Sequence, residues 1–171
     1  MNTPAGRNGL VLYADFDGVL HHSDVFWQAD KGFYLRAPER YKLFQHANLL
    51  TQQLAPFPEV QLVLSTSWAV RYGVTNAAKR LPHELQARVI GGTFDAQHMR
   101  KDEFQHLPRG QQVFEDVLRR QPRNWLALDG NGEGWPTAHQ QRFVQTHMYE
   151  GISDPDVLAT FKQKLEAMCR K

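Results

Sequence analysis

Apolar and polar positions follow two periods along this chain. Three short apolar runs are LVLYA (Leu10–Ala14), VQLVLS (Val60–Ser65) and NWLALD (Asn124–Asp129). Each is too short for a helix and stops at a polar or glycine-rich turn, so each predicts a buried strand. RFVQT (Arg142–Thr146) is a weaker fourth. Between them the period lengthens to three or four residues, which predicts helices. PERYKLFQHANLLTQQLA (Pro38–Ala55) opens with Pro and Glu, stops before PFP, and repeats through Tyr41, Phe44, Ala47, Leu50 and Leu54. RGQQVFEDVLRRQ (Arg109–Gln121) carries Val113, Val117 and Leu118, with Phe114 on the same side. DPDVLATFKQKLEAM (Asp154–Met168) begins with an Asp cap and carries Val157, Phe161, Leu165 and Met168. Strands alternating with helices predict an α/β domain built on a mostly parallel sheet.

Two regions fit this plan poorly. HHSDVFWQADKGFYLRA, within residues 19–37, is aromatic-rich with a Lys-Gly turn signal, and predicts a β-hairpin inserted after the first strand. Residues 70–108 hold short helical pieces around NAAKRLPHELQARV and then GGTFDAQHMRKDEF, and predict irregular structure.

The length of 171 residues predicts one domain, 1–171, large enough to bury a core. Twenty basic residues against eighteen acidic ones give no argument for nucleic acid or membrane by themselves. The single cysteine, Cys169, excludes an intrachain disulfide and has no neighbouring histidine to make it a nucleophile. The polar start MNTPAGRNG carries no apolar signal core, and no stretch is long and apolar enough to cross a bilayer. The expectation is a cytoplasmic protein with no membrane partner. Nothing in the composition sets an oligomeric state.

In open α/β sheets ligands bind beyond the carboxyl ends of the strands. Here those ends carry chemistry. Strand one runs into Asp15, Asp17 and Gly18, strand two into Ser65, Thr66 and Ser67, and strand three into Asp129. Two carboxylates one residue apart repel unless a cation or hydrogen bonds compensate. Carboxylates from two strands form a hard-oxygen site suited to Mg²⁺, with waters and a phosphate completing it. A carboxylate can also attack phosphorus, and a second one can serve as acid and then base. Gly18 would let the backbone turn and present N–H groups to an anion.

The order DFDGVL, an apolar strand ending in STSW, a basic residue before a helix, and an apolar strand ending in Asp resembles the haloacid dehalogenase-like (HAD) hydrolase superfamily. Within it, VLSTSW, VIGGTF, RGQQVFEDVL and WLALDG are similar to the HAD domain of Swiss Army Knife RNA repair proteins. The resemblance implies a three-layer Rossmann-like fold with the hairpin as its flap; residues 19–37 are too short for a large cap domain, and residues 70–108 could hold only a small insert. It implies a Mg²⁺-dependent phosphohydrolase. Asp15 would be the nucleophile and a metal ligand. Asp17 would be the general acid/base and bind the metal through its carbonyl. Thr66 would hold the phosphoryl group, Arg109 would neutralise it, and Asp129 would complete the metal site. The substrate would be a phosphate monoester, with a nucleic-acid end or a nucleotide as the suggested partner.

Other readings stand beside these. Asp15, Asp17 and Gly18 also suit a tight Asp-Gly turn. Ser65, Thr66 and Ser67 also suit a helix cap, and Ser65 competes with Thr66 for the phosphate. Lys101, Arg100 and Arg71 are rivals of Arg109. Gly130 stands where a second acid often follows Asp129, so Glu133 is either a ligand, directly or through water, or a solvated loop residue. Gly18, Ser67, His21 and Trp27 are the candidate substrate contacts. For Trp27, Phe33 and Tyr34 packing of the hairpin is the alternative, and Trp68 reads as a wedge for its loop. A non-catalytic nucleotide- or nucleic-acid-binding module and a phosphotransferase or phosphomutase are the rival functions.

Overall fold

A computed structural model describes residues 3–170. Its centre is a five-stranded sheet of β1 (Leu10–Ala14), β4 (Val60–Leu64), β5 (Val89–Gly92), β6 (Asn124–Asp129) and β7 (Phe143–Gln145), in the order β5-β4-β1-β6-β7. Every pairing is parallel. A separate antiparallel hairpin pairs β2 (Val25–Gln28) with β3 (Gly32–Leu35), inside the segment expected to be inserted after strand one.

Side chains alternate between the two faces of the sheet, and the core divides accordingly. Leu10 and Leu12, Leu62 and Leu64, and Leu126 and Leu128 join one cluster. Val11 and Tyr13, Val63, and Trp125 and Ala127 join the other. The first cluster is covered by α1 (Ala47–Leu54), α2 (Ser67–Tyr72), α3 (Val74–Ala78), α4 (His83–Gln86) and α7 (Pro155–Cys169). The second is covered by α6 (Arg109–Arg120) and the loop carrying Trp135. Helical layers on both faces of a parallel sheet make the three-layer α/β fold. Asp154 caps α7, its Oδ1 accepting the Asp156 and Val157 amides at 3.0 and 3.1 Å.

The register brings the chemistry to one edge. Ala14 of the central strand pairs with Leu64 on one side and Leu128 on the other. Asp15 and Ser65, the next residues, therefore lie side by side, with Asp129 at the same end.

Three expectations need correction. The helix read over Pro38–Ala55 begins only at Ala47. Phe44 takes a left-handed backbone at φ +59 and donates its amide to His21, so tertiary contacts stop helix growth there. In the stretch expected to be irregular, residues 89–92 form an edge strand, and α5 (Lys101–His106) follows. Its Gly91 and Gly92 have weak intrinsic preference for a strand, and pairing with β4 supplies it. On α6 the buried face is Gly110, Gln112, Val113, Asp116 and Arg120, while Leu118 is 57% exposed. Asp116 sets that face, accepting from Tyr13 Oη at 2.8 Å and pairing with Arg119 and Arg120. Satisfying a buried carboxylate outweighs burying one more leucine.

Candidate active site

Asp15 leaves β1 into a tight turn. Its Oδ1 accepts the Phe16 amide at 2.7 Å. Gly18 takes φ +75 to complete the turn. Its amide donates to His21 O at 2.9 Å and its carbonyl accepts from Thr146 Oγ1 at 2.5 Å. Both polar groups of Gly18 are thus committed inside the protein. The expectation that its N–H faces an anion is corrected: Gly18 supplies the bend and a bare wall.

Arg109, the first residue of α6, reaches into the same place. Its Nη2 lies 2.9 Å from Asp15 Oδ2 and donates to Ser65 O at 2.5 Å, and its Nε donates to Asp129 Oδ2 at 3.1 Å. Among the rival cations, Arg100 pairs with exposed Asp102, Arg71 lies 3.7 Å over the Trp27 ring, and exposed Lys101 begins α5. Arg109 is the one the fold brings to the carboxylates. Gly110 allows the approach. Its amide donates to Glu133 O at 2.9 Å, and a Cβ there would stand 2.3 Å from Gly134 O.

Asp129 is buried, and its Oδ1 accepts the Asn131 amide at 2.8 Å. Asp15, Asp17, Gly18, Ser23, Asp129, Gly130, Asn131, Gly132 and Met148 line a cavity of about 390 Å³. A second cavity of about 320 Å³ is lined by Ser67, Arg109, Asn131 and Glu133 among others. Glu133 is exposed and belongs to this second cavity. Asn131 lines both cavities, its backbone amide on Asp129 and its side-chain Oδ1 accepting the Glu133 amide at 2.8 Å.

Burial raises the Asp15 carboxyl above the usual carboxylate range; Arg109 opposes this, while Asp129 and Asp17 add to it. Burial raises Asp129 as well, again against the pull of Arg109. The same carboxylates hold the Arg109 guanidinium firmly in its charged form against the burial that opposes it.

Thr66 and Ser65 differ in what their hydroxyls meet. Thr66 caps α2, its Oγ1 accepting the Trp68 amide at 3.4 Å. Ser65 Oγ is buried and has no hydrogen-bond partner among the described residues, in the register position next to Asp15. Ser67 is exposed and lines the second cavity. Trp27 stands on the hairpin, its Nε1 donating to Tyr72 Oη at 3.2 Å.

His21 does not meet the cavity. It is fully buried, and its Nε2 lies 2.8 Å from Asp17 Oδ1. The expectation of a substrate contact is corrected to a contact with Asp17. Trp68 is also buried and donates Nε1–H to the same oxygen at 2.9 Å. Sequence reasoning missed the Trp68 link because it joins α2 to the loop after β1 across 51 residues, and the His21 link because the fold of that loop, four residues long between the two side chains, is not legible from residue order. At the far end of α7, burial pushes the Cys169 thiol up to about 11, which disfavours a thiolate.

Among the described residues no group of three or more His, Cys, Asp or Glu side chains is arranged to hold a metal ion. The donor set still fits Mg²⁺, which takes one or two carboxylates and completes its shell with water and phosphate. Asp15 and Asp129 would supply those two. With Asp17 on the same wall, three carboxylates face one guanidinium, which leaves room in the charge balance for a divalent cation.

Comparison with known proteins agrees with this geometry. No curated protein and no solved structure matches the chain. A family model described as the HAD domain in Swiss Army Knife RNA repair proteins matches residues 11–157. That span runs from β1 into the first turn of α7 and includes Asp15, Asp17, Ser65, Arg109 and Asp129. A parallel sheet with an aspartate pair at the end of its central strand, matched over most of its length by that one family, places this chain among the HAD domains of Swiss Army Knife RNA repair proteins.

Proposed function

We propose that the chain is a Mg²⁺-dependent phosphohydrolase working through an aspartyl-phosphate on Asp15. The family points to phosphohydrolase chemistry. The observation that carries the reading is Arg109 joining Asp15 to Asp129 beside Asp17. A guanidinium 2.9 Å from a carboxylate is well placed to hold a phosphoryl group that the carboxylate attacks.

Asp15 and Asp129 would hold the metal, with the Asp17 carbonyl as a neighbouring oxygen donor. When bound, Mg²⁺ supplies electrostatic stabilisation of phosphoryl charge. An Asp15 carboxylate oxygen attacks phosphorus. The bond from phosphorus to the ester oxygen breaks, and Asp17 gives that oxygen a proton. Asp17 then takes a proton from water, whose oxygen attacks phosphorus and releases Asp15. Arg109 binds the phosphoryl oxygens throughout, and the unpaired Ser65 hydroxyl, at the strand end beside Asp15, is a further donor for one of them.

The substrate in this reading is a phosphate monoester on a nucleic-acid end. The family description and the hairpin support it. Phe26 and Tyr34 lie on the outer face of the hairpin with Arg36 and Lys31 over their rings at 5.2 and 5.5 Å. Aromatic rings beside cations suit stacked bases and their phosphates.

The deciding test is phosphate release from para-nitrophenyl phosphate with Mg²⁺ and with chelator, for wild type and Asp15→Asn. Metal-dependent release lost in the variant is expected. Binding of a phosphate analogue without turnover would point to a non-catalytic module, and transfer to an added acceptor to a phosphotransferase. Release from a terminally phosphorylated oligonucleotide in preference to small phosphates tests the substrate class.

A further inference from the structure

Asp17 is gripped by one oxygen. Its Oδ1 accepts Trp68 Nε1–H at 2.9 Å and lies 2.8 Å from His21 Nε2. The other nitrogen of His21, Nδ1, accepts the Phe44 amide at 3.0 Å. A backbone N–H only donates, so Nδ1 carries no proton and the ring proton sits on Nε2, aimed at Oδ1. The Phe44 backbone is held in turn. Its ring packs edge-on against Phe16, Trp68 and His21 at 5.1, 5.2 and 4.8 Å, and the nearby His46 amide donates to Leu20 O at 2.9 Å. No described residue donates to Oδ2. The Asp17 side chain keeps 23% of its surface exposed, on the wall it shares with Asp15.

We propose that His21 and Trp68 are positioning residues that jointly fill Oδ1 of Asp17 and so confine its proton exchange to Oδ2. This rests on the phosphohydrolase reading above. Two N–H donors on one oxygen favour the acid form in which that oxygen is the carbonyl and the other carries the proton. Oδ2–H then gives its proton to the ester oxygen as the bond from phosphorus to that oxygen breaks. Oδ2 takes a proton from water as the water oxygen attacks phosphorus. His21 and Trp68 exchange no proton. They orient Asp17 through N–H donation to a single oxygen.

The test uses substrates that differ in their need for an acid. Trp68→Phe removes the N–H and keeps a ring to stack on Phe33, now 4.1 Å away. His21→Ala removes the second donor, and His21→Gln restores one at the Nε2 position. For phenyl phosphate, whose leaving group needs a proton, kcat/KM is expected to fall roughly tenfold in Trp68→Phe and in His21→Ala, as for loss of one hydrogen bond to a charged group. His21→Gln should recover part of the loss. For 2,4-dinitrophenyl phosphate, whose leaving group needs none, the fall should stay within about twofold. In an Asp17→Asn background neither substitution should have a further effect. Equal losses on both substrates, or full additivity with Asp17→Asn, would overturn the proposal.

The nitrogen resonances of the imidazole give a readout independent of turnover. A proton on Nε2 of His21, and a Trp68 indole N–H resonance that moves in Asp17→Asn, support the anchor; a proton on Nδ1 overturns it. A wild type that releases no phosphate from either ester refutes the phosphohydrolase reading, and the spectrum still decides the anchor.

Discussion

Arg109 Nη2 lies 2.9 Å from Asp15 Oδ2, and the same guanidinium reaches Asp129 Oδ2 through Nε at 3.1 Å. One planar fork thus ties the end of β1 to the end of β6. A lysine cannot make both contacts, because its ammonium is a single point of charge on a flexible stem. Arg109→Lys is expected to lower kcat/KM for an aryl phosphate by about 10²-fold, the scale of losing an oriented donor to a developing charge. Steady-state kinetics beside a circular dichroism spectrum check this. A variant within about threefold of wild type would remove Arg109 from the mechanism.

Three carboxylates share this edge with that one guanidinium. Crowded like charges burden the fold, as functional sites commonly do. Asp15→Asn relieves part of the repulsion and leaves Arg109 paired with Asp129. It is expected to raise the melting temperature, in chelator, by about 2–4 °C, the shift that about 1 kcal/mol gives in a chain of this size. The same variant should release no phosphate. Scanning calorimetry of the two proteins decides the first point, and a lower melting temperature would count against the crowding account.

A ligand that binds only the folded state raises its stability. Adding Mg²⁺ to the wild type should therefore raise the melting temperature, and chelator should reverse it. Asp129→Asn should lose most of that response. A response unchanged in this variant would place the cation elsewhere.

Gly110 sits where α6 begins, against the Gly134–Trp135 backbone. A Cβ there would meet Gly134 O at 2.3 Å and Trp135 N at 2.6 Å, both backbone atoms that cannot rotate away. Gly110→Ala is expected to cost about 1–3 kcal/mol by overpacking, although alanine is the better helix former. It should also lower activity, because the helix start that moves carries Arg109. Urea unfolding and kinetics on one preparation check both effects.

His46 titrates below its ordinary value in the folded protein. Burial disfavours its cation, and Glu150 opposes this. The unfolded chain then binds the proton more tightly than the folded one. The stability held above the unfolded-state value is lost as pH falls through that value toward the folded one. His46→Gln should flatten this limb between about pH 7 and about pH 5. Urea midpoints across the range read it, and an unchanged slope would dismiss His46 as its source.

Much of the frame was legible from local pattern. LVLYA, the VQLVL part of the second run, and NWLALD are strands because unbroken apolar residues suit a sheet buried on both faces. Asp154 reads as a cap and is one. Periodicity failed where distant contacts override it. Phe44 has a helical position in sequence and a left-handed backbone in the fold, because its amide is claimed by His21. Leu118 belongs to an apolar repeat and faces solvent, because Asp116 must turn inward to Tyr13.

Residue order alone set which side chains stand at the strand ends: Asp15, Asp17, the Ser65–Ser67 run and Asp129. Those follow from short-range order, since a strand's end and the residue after it are neighbours in the chain. Tertiary contacts alone settle which cation reaches them and that His21 and Trp68 meet on one oxygen of Asp17. Those contacts join residues up to 94 positions apart: Arg109 to Asp15 across the sheet edge, and Trp68 to Asp17 across 51 residues. Hydrophobic period reports how deeply a residue is buried. It carries no information on which donor meets which acceptor once strands from separate parts of the chain come into register.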